Sequence, residues 1–117
     1  MAQLSTHILD TSRGLPASGV RIDLYLIEQD QRSHLKTATT NSDGRTDAPL
    51  LSGDSIPAGI YELVFQAGDY FRSSGVTLNS PPFLDEVVIR FGIADASGKY
   101  HVPLLLSPFG YSTYRGS

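Results

Sequence analysis

The sequence contains no cysteine. Disulfides, thiolate catalysis and zinc–thiolate centres are thereby excluded. Long apolar runs are also missing: the longest, Val102 to Leu106, falls far short of the roughly 20 residues that a membrane-spanning helix needs. Lysine and arginine never cluster, and a net charge of −3 with a pI near 5.4 leaves no basic face for a phosphate backbone. Neither nucleic acid nor a membrane is expected as a partner. Helical periodicity is scarce, and histidine occurs only as His7, His34 and His101. The opening MAQLSTHILD enters patterned sequence without the basic and apolar segments of a secretory leader, so a cytoplasmic location is expected.

What is present is β patterning. A chain of 117 residues suits one domain, 1–117, with a real core. Glycine and proline punctuate it at intervals, and the segments between are β-branched, aromatic and alternating, as in an antiparallel sandwich. VRIDLYLI sets Val20, Ile22, Leu24 and Leu26 on one face and Arg21, Asp23 and Tyr25 on the other. Its partner is expected over His34 to Thr40. In NSDGR, Asp43-Gly44 supplies the positive φ of a tight turn, and Arg45 leaves that turn. Further strands are expected over Gly59 to Ala67, Phe83 to Ile93 and Tyr100 to Ser107, and the closing YSTYRGS also reads as a strand. DYFRSS has no period of two and is expected to be the one short helix, with Asp69 as its N-cap.

Val102 to Leu106 (VPLLL) is apolar on both faces, whereas a strand with one buried face should alternate. Pro103 cannot donate to a ladder, which predicts an edge strand or a bulge. An edge with an apolar outer face needs cover, and the reading is an oligomer interface.

Candidate chemistry is sparse. His34 lies in the polar RSHLK and reads as a solvated strand residue. His7 and His101 each stand at the polar start of an apolar strand, where the ordinary role is structural. Arg45 after a turn would ordinarily be a solvated loop residue, and Tyr111 and Tyr114 would fill an interface. No serine sits in a G-x-S-x-G elbow, and no metalloprotease, EF-hand or phosphate-loop pattern occurs. A two-histidine metal site would lack a carboxylate at matching spacing and would share its pocket with an arginine. The residues by themselves lead to an all-β sandwich with two histidines able to titrate near neutrality.

Taken together, HILDTSRGLPASGV, NSDGR and YHVPLLLSPFGYSTYRGS resemble the transthyretin-like family of 5-hydroxyisourate hydrolases over essentially the whole chain. The terminal YRGS is the family's mark of the hydrolases against the hormone-carrying transthyretins, which also lack the histidine found here at His7. The resemblance implies a transthyretin-like antiparallel β-sandwich of seven to eight strands with one short helix, pairing edge to edge into dimers. Two dimers then pack face to face as a homotetramer with active sites in the cleft between them. It implies hydrolysis of 5-hydroxyisourate with no cofactor and no metal.

Under that resemblance His7, Arg45, His101 and Ser117 are the catalytic residues, and His7, Arg45 and Tyr114 hold the substrate. Opening a cyclic acyl–nitrogen bond needs an activated water, oxyanion stabilisation and a proton for the departing nitrogen. The pair His7 and His101, assisted by Ser117, is assigned the water. Arg45 suits an oxyanion through its rigid donor fork, and Tyr114 would contact the planar ring. Tyr114 and Ser117 face opposite ways by alternation, so Gly116 is expected to permit a turn. Lys99 stands where many members have a second histidine, on the face of His101, and is expected to lower the pKa of His101 or alter substrate affinity. The alternatives are a transthyretin-type carrier of a small apolar ligand and a non-catalytic adhesive β module.

Overall fold

Strict alternation makes the first strand. Over β1 (Ala2–Asp10), Ala2, Leu4, Thr6, Ile8 and Asp10 are buried, while Gln3, Ser5, His7 and Leu9 lie on the other, half-exposed face. The computed structural model describes residues 1–116. Eight further strands follow: β2 (Leu15–Pro16), β3 (Arg21–Glu28), β4 (Gln31–Thr39), β5 (Leu51–Gly53), β6 (Gly59–Gln66), β7 (Glu86–Ile93), β8 (Lys99–Ser107) and β9 (Gly110–Thr113). β2 and β5 are short pieces, which leaves seven strands of ordinary length in the all-β sandwich expected from the sequence.

One sheet has the order β4-β3-β6-β7, all antiparallel. The other has the order β2-β1-β8-β9, with β5 also paired to β1, and its central pair β1/β8 is parallel. Both inner faces feed one core. Leu4, Ile8, Leu104 and Leu106 from one sheet and Ile22, Leu24, Leu63 and Phe65 from the other are fully or almost fully removed from water. Full burial of each such side chain stabilises the fold by about 1.5–3 kcal/mol.

The helix α1 (Ala67–Ser73) follows β6 directly. Its N-cap position is Gln66, without a side-chain cap, and Asp69 lies inside the first turn, where its charge suits the positive end of the helix dipole. Asp69 is therefore not the cap that the sequence suggested. The helix is held by burial of Tyr70 and Phe71 and by Tyr70 Oη, which donates to the buried Asp10 Oδ2 at 2.7 Å.

β8 is not an edge strand. It runs inside its sheet, parallel to β1 on one side and antiparallel to β9 on the other. Proline is tolerated there because Pro103 faces a gap: β8/β9 pairing runs from Ser107↔Gly110 to Leu104↔Thr113, stops, and resumes at His101↔Gly116. The Pro103 carbonyl points into the same gap and accepts from Thr113 Oγ1 at 2.7 Å. β9 therefore ends at Thr113, shorter than the patterned YSTYRGS suggested, and Gly116 rejoins β8. Val102, Leu104 and Leu106 enter the core, and Leu105 is half-buried on the opposite face.

Candidate active site

Parallel pairing of β1 with β8 builds the site. Their register sets Ser5 opposite His101 and His7 opposite Pro103, on the face turned away from the core. His7 and His101 are thus diagonal neighbours on adjacent strands, roughly 8 Å apart at the backbone from strand rise and spacing. Gln3, Ser5, Arg45, Lys99, Tyr100 and His101 line an open cleft of about 320 Å³, and His7 stands next to it through its bridge to Arg45. Among the described residues the lining has two cations and no carboxylate, which favours an electron-rich or anionic ligand.

Arg45 arrives by way of a tight turn. Asn41 organises it: its Oδ1 accepts from the backbone N–H of Asp43 at 2.9 Å and of Arg45 at 3.3 Å, and its own N–H donates to the Arg45 carbonyl at 2.8 Å. Gly44 has φ +74°, and a Cβ at that position would run into the Ile8 carbonyl oxygen. Glycine is required there twice over, by the backbone conformation and by the close approach to β1. The Ile8 N–H donates to the Gly44 carbonyl at 2.8 Å, and Arg45 forms an antiparallel bridge with His7. Along one edge of β1, β5 covers the start, Arg45 the middle and β2 the end. That stitching fixes Arg45 beside His7. Among the described residues no carboxylate pairs with Arg45, and its guanidinium can turn to a ligand.

The His101 ring is held on both sides. Ser5 Oγ lies 2.8 Å from Nδ1, and Gly116 packs so closely that a Cβ there would sit 2.6 Å from Cδ2. The backbone N–H of Gly116 donates to the His101 carbonyl at 2.7 Å. Burial first, then the charge of Arg45 and the proximity of His7, lower the His101 pKa from the usual 6.5. The ring is neutral at neutral pH. Lys99 is not among the causes of that shift, although it shares the cleft wall with His101.

His34 is on the other sheet, where its Nε2 lies 3.0 Å from Asp23 Oδ1 and 2.9 Å from Thr37 Oγ1. It is exposed on β4, as the sequence suggested, and in addition partners the buried carboxylate of Asp23. Gly116 has no positive φ; what demands glycine is the approach to the imidazole rather than a turn. Tyr114 is exposed and lines a neighbouring pocket with Ile89, Phe91 and Arg115, between the edges of the two sheets. Ser117 lies outside the described residues. Ser5 and Gln3 are cleft residues that bland sequence context concealed; the alternation of QLSTH, which puts Gln3 and Ser5 on the face of His7, was the available signal.

A family model, HIUase/Transthyretin, matches residues 4–116. The chain is 63% identical over 115 residues to "5-hydroxyisourate hydrolase 2" of Rhizobium meliloti, covering 98% of this chain and 96% of that protein. Among solved structures, 5-hydroxyisourate hydrolase of Klebsiella pneumoniae superposes with a TM-score of 0.83 at 38% identity, over the full length of both chains. Sea bream transthyretin in complex with thyroxine superposes with a TM-score of 0.82 at 28% identity, over 97% of this chain and 94% of that one.

Proposed function

The chain belongs to the HIUase/transthyretin family, and from that premise we propose that it hydrolyses 5-hydroxyisourate, opening the six-membered ring to 2-oxo-4-hydroxy-4-carboxy-5-ureidoimidazoline. The observation that carries this reading is the meeting of Arg45 and His101 in one cleft, with His7 bridged to Arg45 and diagonal to His101 on the same face of the β1/β8 pair, and no carboxylate in the wall among the described residues. Water adds to the ring's acyl carbon and gives up a proton to the histidine pair. The oxygen of the tetrahedral intermediate takes the negative charge beside the Arg45 guanidinium. The carbon–nitrogen bond then breaks and the ring opens, the nitrogen receives the proton, and the acyl carbon stays on the product as a carboxylate whose acid proton passes to solvent. General-base and oxyanion contributions of this kind are each worth roughly 10²- to 10⁴-fold. Tyr114 contacts the planar ring, and Ser117 assists the water.

The same reading assigns a homotetramer, with the face that carries His7 and His101 turned toward a second dimer. Leu9 and Leu105, paired across β1 and β8 and half-buried on that face, supply apolar surface that such an interface would cover. Work in purine breakdown, in the cytoplasm and without a cofactor or metal, completes the proposal. No helix among the described residues is long and apolar enough to cross a membrane.

The test is spectroscopic. 5-Hydroxyisourate is generated with urate oxidase, and its ultraviolet absorbance is followed with and without the protein. Accelerated decay is expected. Decay at the spontaneous rate would reject the hydrolase and leave the reading of a transthyretin-type carrier.

A further inference from the structure

We propose that Ser5 is a positioning residue that fixes His101 as the neutral tautomer with its proton on Nε2, so that His101 donates a hydrogen bond in the cleft and His7 serves as the base. The catalytic half of this proposal rests on the hydrolase reading; the tautomer half stands on geometry alone.

Ser5 and His101 are directly paired across the parallel ladder, and Oγ to Nδ1 is 2.8 Å. Either atom could supply the proton of that bond. Among the described residues Ser5 Oγ has no second partner, so a proton on Nδ1 would leave the hydroxyl proton of a half-buried side chain unused. An unprotonated imidazole nitrogen is also a better acceptor than a hydroxyl oxygen. Both arguments send the serine proton to Nδ1 and the ring proton to Nε2. Gly116 against Cδ2 and Cγ closes the other side, so the ring cannot swing away from Ser5 without striking backbone.

Among the described residues, the charged and titratable groups around the ring are His7 on β1, Arg45 from the turn and Lys99 at the start of β8. None is an anion that would draw a second proton onto the imidazole, and burial and Arg45 keep it neutral. A neutral ring with Nδ1 occupied has no lone pair for a water proton. Its Nε2–H can instead donate to the developing oxyanion, next to Arg45, as neutral imidazoles do at other electrophilic sites. His7, two residues along β1 from Ser5 and bridged to Arg45, is left to take the proton from water and pass that same proton to the departing nitrogen.

Long-range proton–nitrogen NMR on histidine-labelled protein at neutral pH reads the tautomer, with the His101 signals identified by their loss in His101→Gln. Nε2 is expected protonated and Nδ1 unprotonated. A proton on Nδ1 would overturn the proposal. In steady-state kinetics Ser5→Ala should lower kcat about tenfold with KM nearly unchanged, and Ser5→Thr, which keeps the hydroxyl, should restore most of it. An undiminished kcat in Ser5→Ala overturns the positioning role. A wild-type protein without turnover refutes the hydrolase reading instead, and the nitrogen spectrum still decides the tautomer.

Discussion

Gly116 lies so close to the His101 imidazole that a methyl group in its place would sit 2.6 Å from Cδ2 and 3.2 Å from Cγ. The contact ties the chain beyond β9 to the orientation of a ring on β8. Gly116→Ala should therefore displace the His101 ring from its present orientation, and a misplacement of about 1 Å in a catalytic group can cost roughly 10²-fold. A loss of that order in kcat/KM is expected, with the melting temperature nearly unchanged because Gly116 is outside the core cluster. Wild-type kinetics in this variant would show that the contact is incidental.

The His101 titration carries a sign. Burial, then Arg45 and His7, disfavour its protonated form, so its native pKa lies below the usual 6.5. The unfolded chain binds this proton more readily. The contribution of the neutral ring to stability is thus fully present above 6.5 and is lost as pH falls through the lower native value. Proton NMR of the ring should give a midpoint below 6.5 in the wild type. Arg45→Gln, with the repelling charge gone, should give a higher midpoint than the wild type and turnover reduced about 10²- to 10³-fold. A midpoint that Arg45→Gln leaves unmoved contradicts the electrostatic assignment.

On the outer face of the other sheet, Glu62 is buried between two arginines. Arg32 Nε donates to its Oε1 at 2.9 Å and Arg90 Nε to its Oε2 at 2.8 Å. Burial pushes this carboxyl up, but the hydrogen bonds and charges of Arg90 and Arg32 outweigh it and leave the pKa below the usual 4.5. Its stabilising effect is present above 4.5 and disappears as pH falls through the native value. Glu62→Gln should lower the melting temperature by about 5 °C at neutral pH. The difference from wild type should shrink as the pH falls below 4.5. A difference independent of pH would point to packing instead.

Lys99 and Arg45 are the two cations of the cleft wall. If Lys99 serves substrate capture rather than the chemical step, Lys99→Glu should raise KM about tenfold with little change in kcat. Added salt should raise the wild-type KM by screening the same charges. A fall in kcat at constant KM would place Lys99 in the chemical step.

Much of the frame was legible because alternation reports burial locally. Val20, Ile22 and Leu24 are all buried as their spacing required, and Asp43-Gly44 makes the turn that delivers Arg45. Pairing is not local. β8 finds β1 across some 96 residues, and nothing near Pro103 in sequence announces the gap beyond Thr113 that makes an interior proline harmless. The same distance hid Ser5. A serine two positions before a histidine is unremarkable until the parallel register sets it against His101. His34 is exposed on its strand as read, but its hydrogen bond to Asp23 was not legible, since burial of Asp23 depends on the neighbours of β3 in the sheet. His7, Arg45 and His101 were singled out together only through family resemblance, and the β1/β8 register with the His7–Arg45 bridge places them on one face.

The most direct measurement of whether His7 and His101 form one catalytic unit is kcat/KM for 5-hydroxyisourate in His7→Ala, His101→Ala and the double variant. Groups that act together are not additive. Each single variant is expected to lose roughly 10²- to 10⁴-fold, and the double variant little more than the worse of the two. Single variants within about tenfold of wild type, or losses that simply multiply in the double variant, would contradict a shared hydrolytic site.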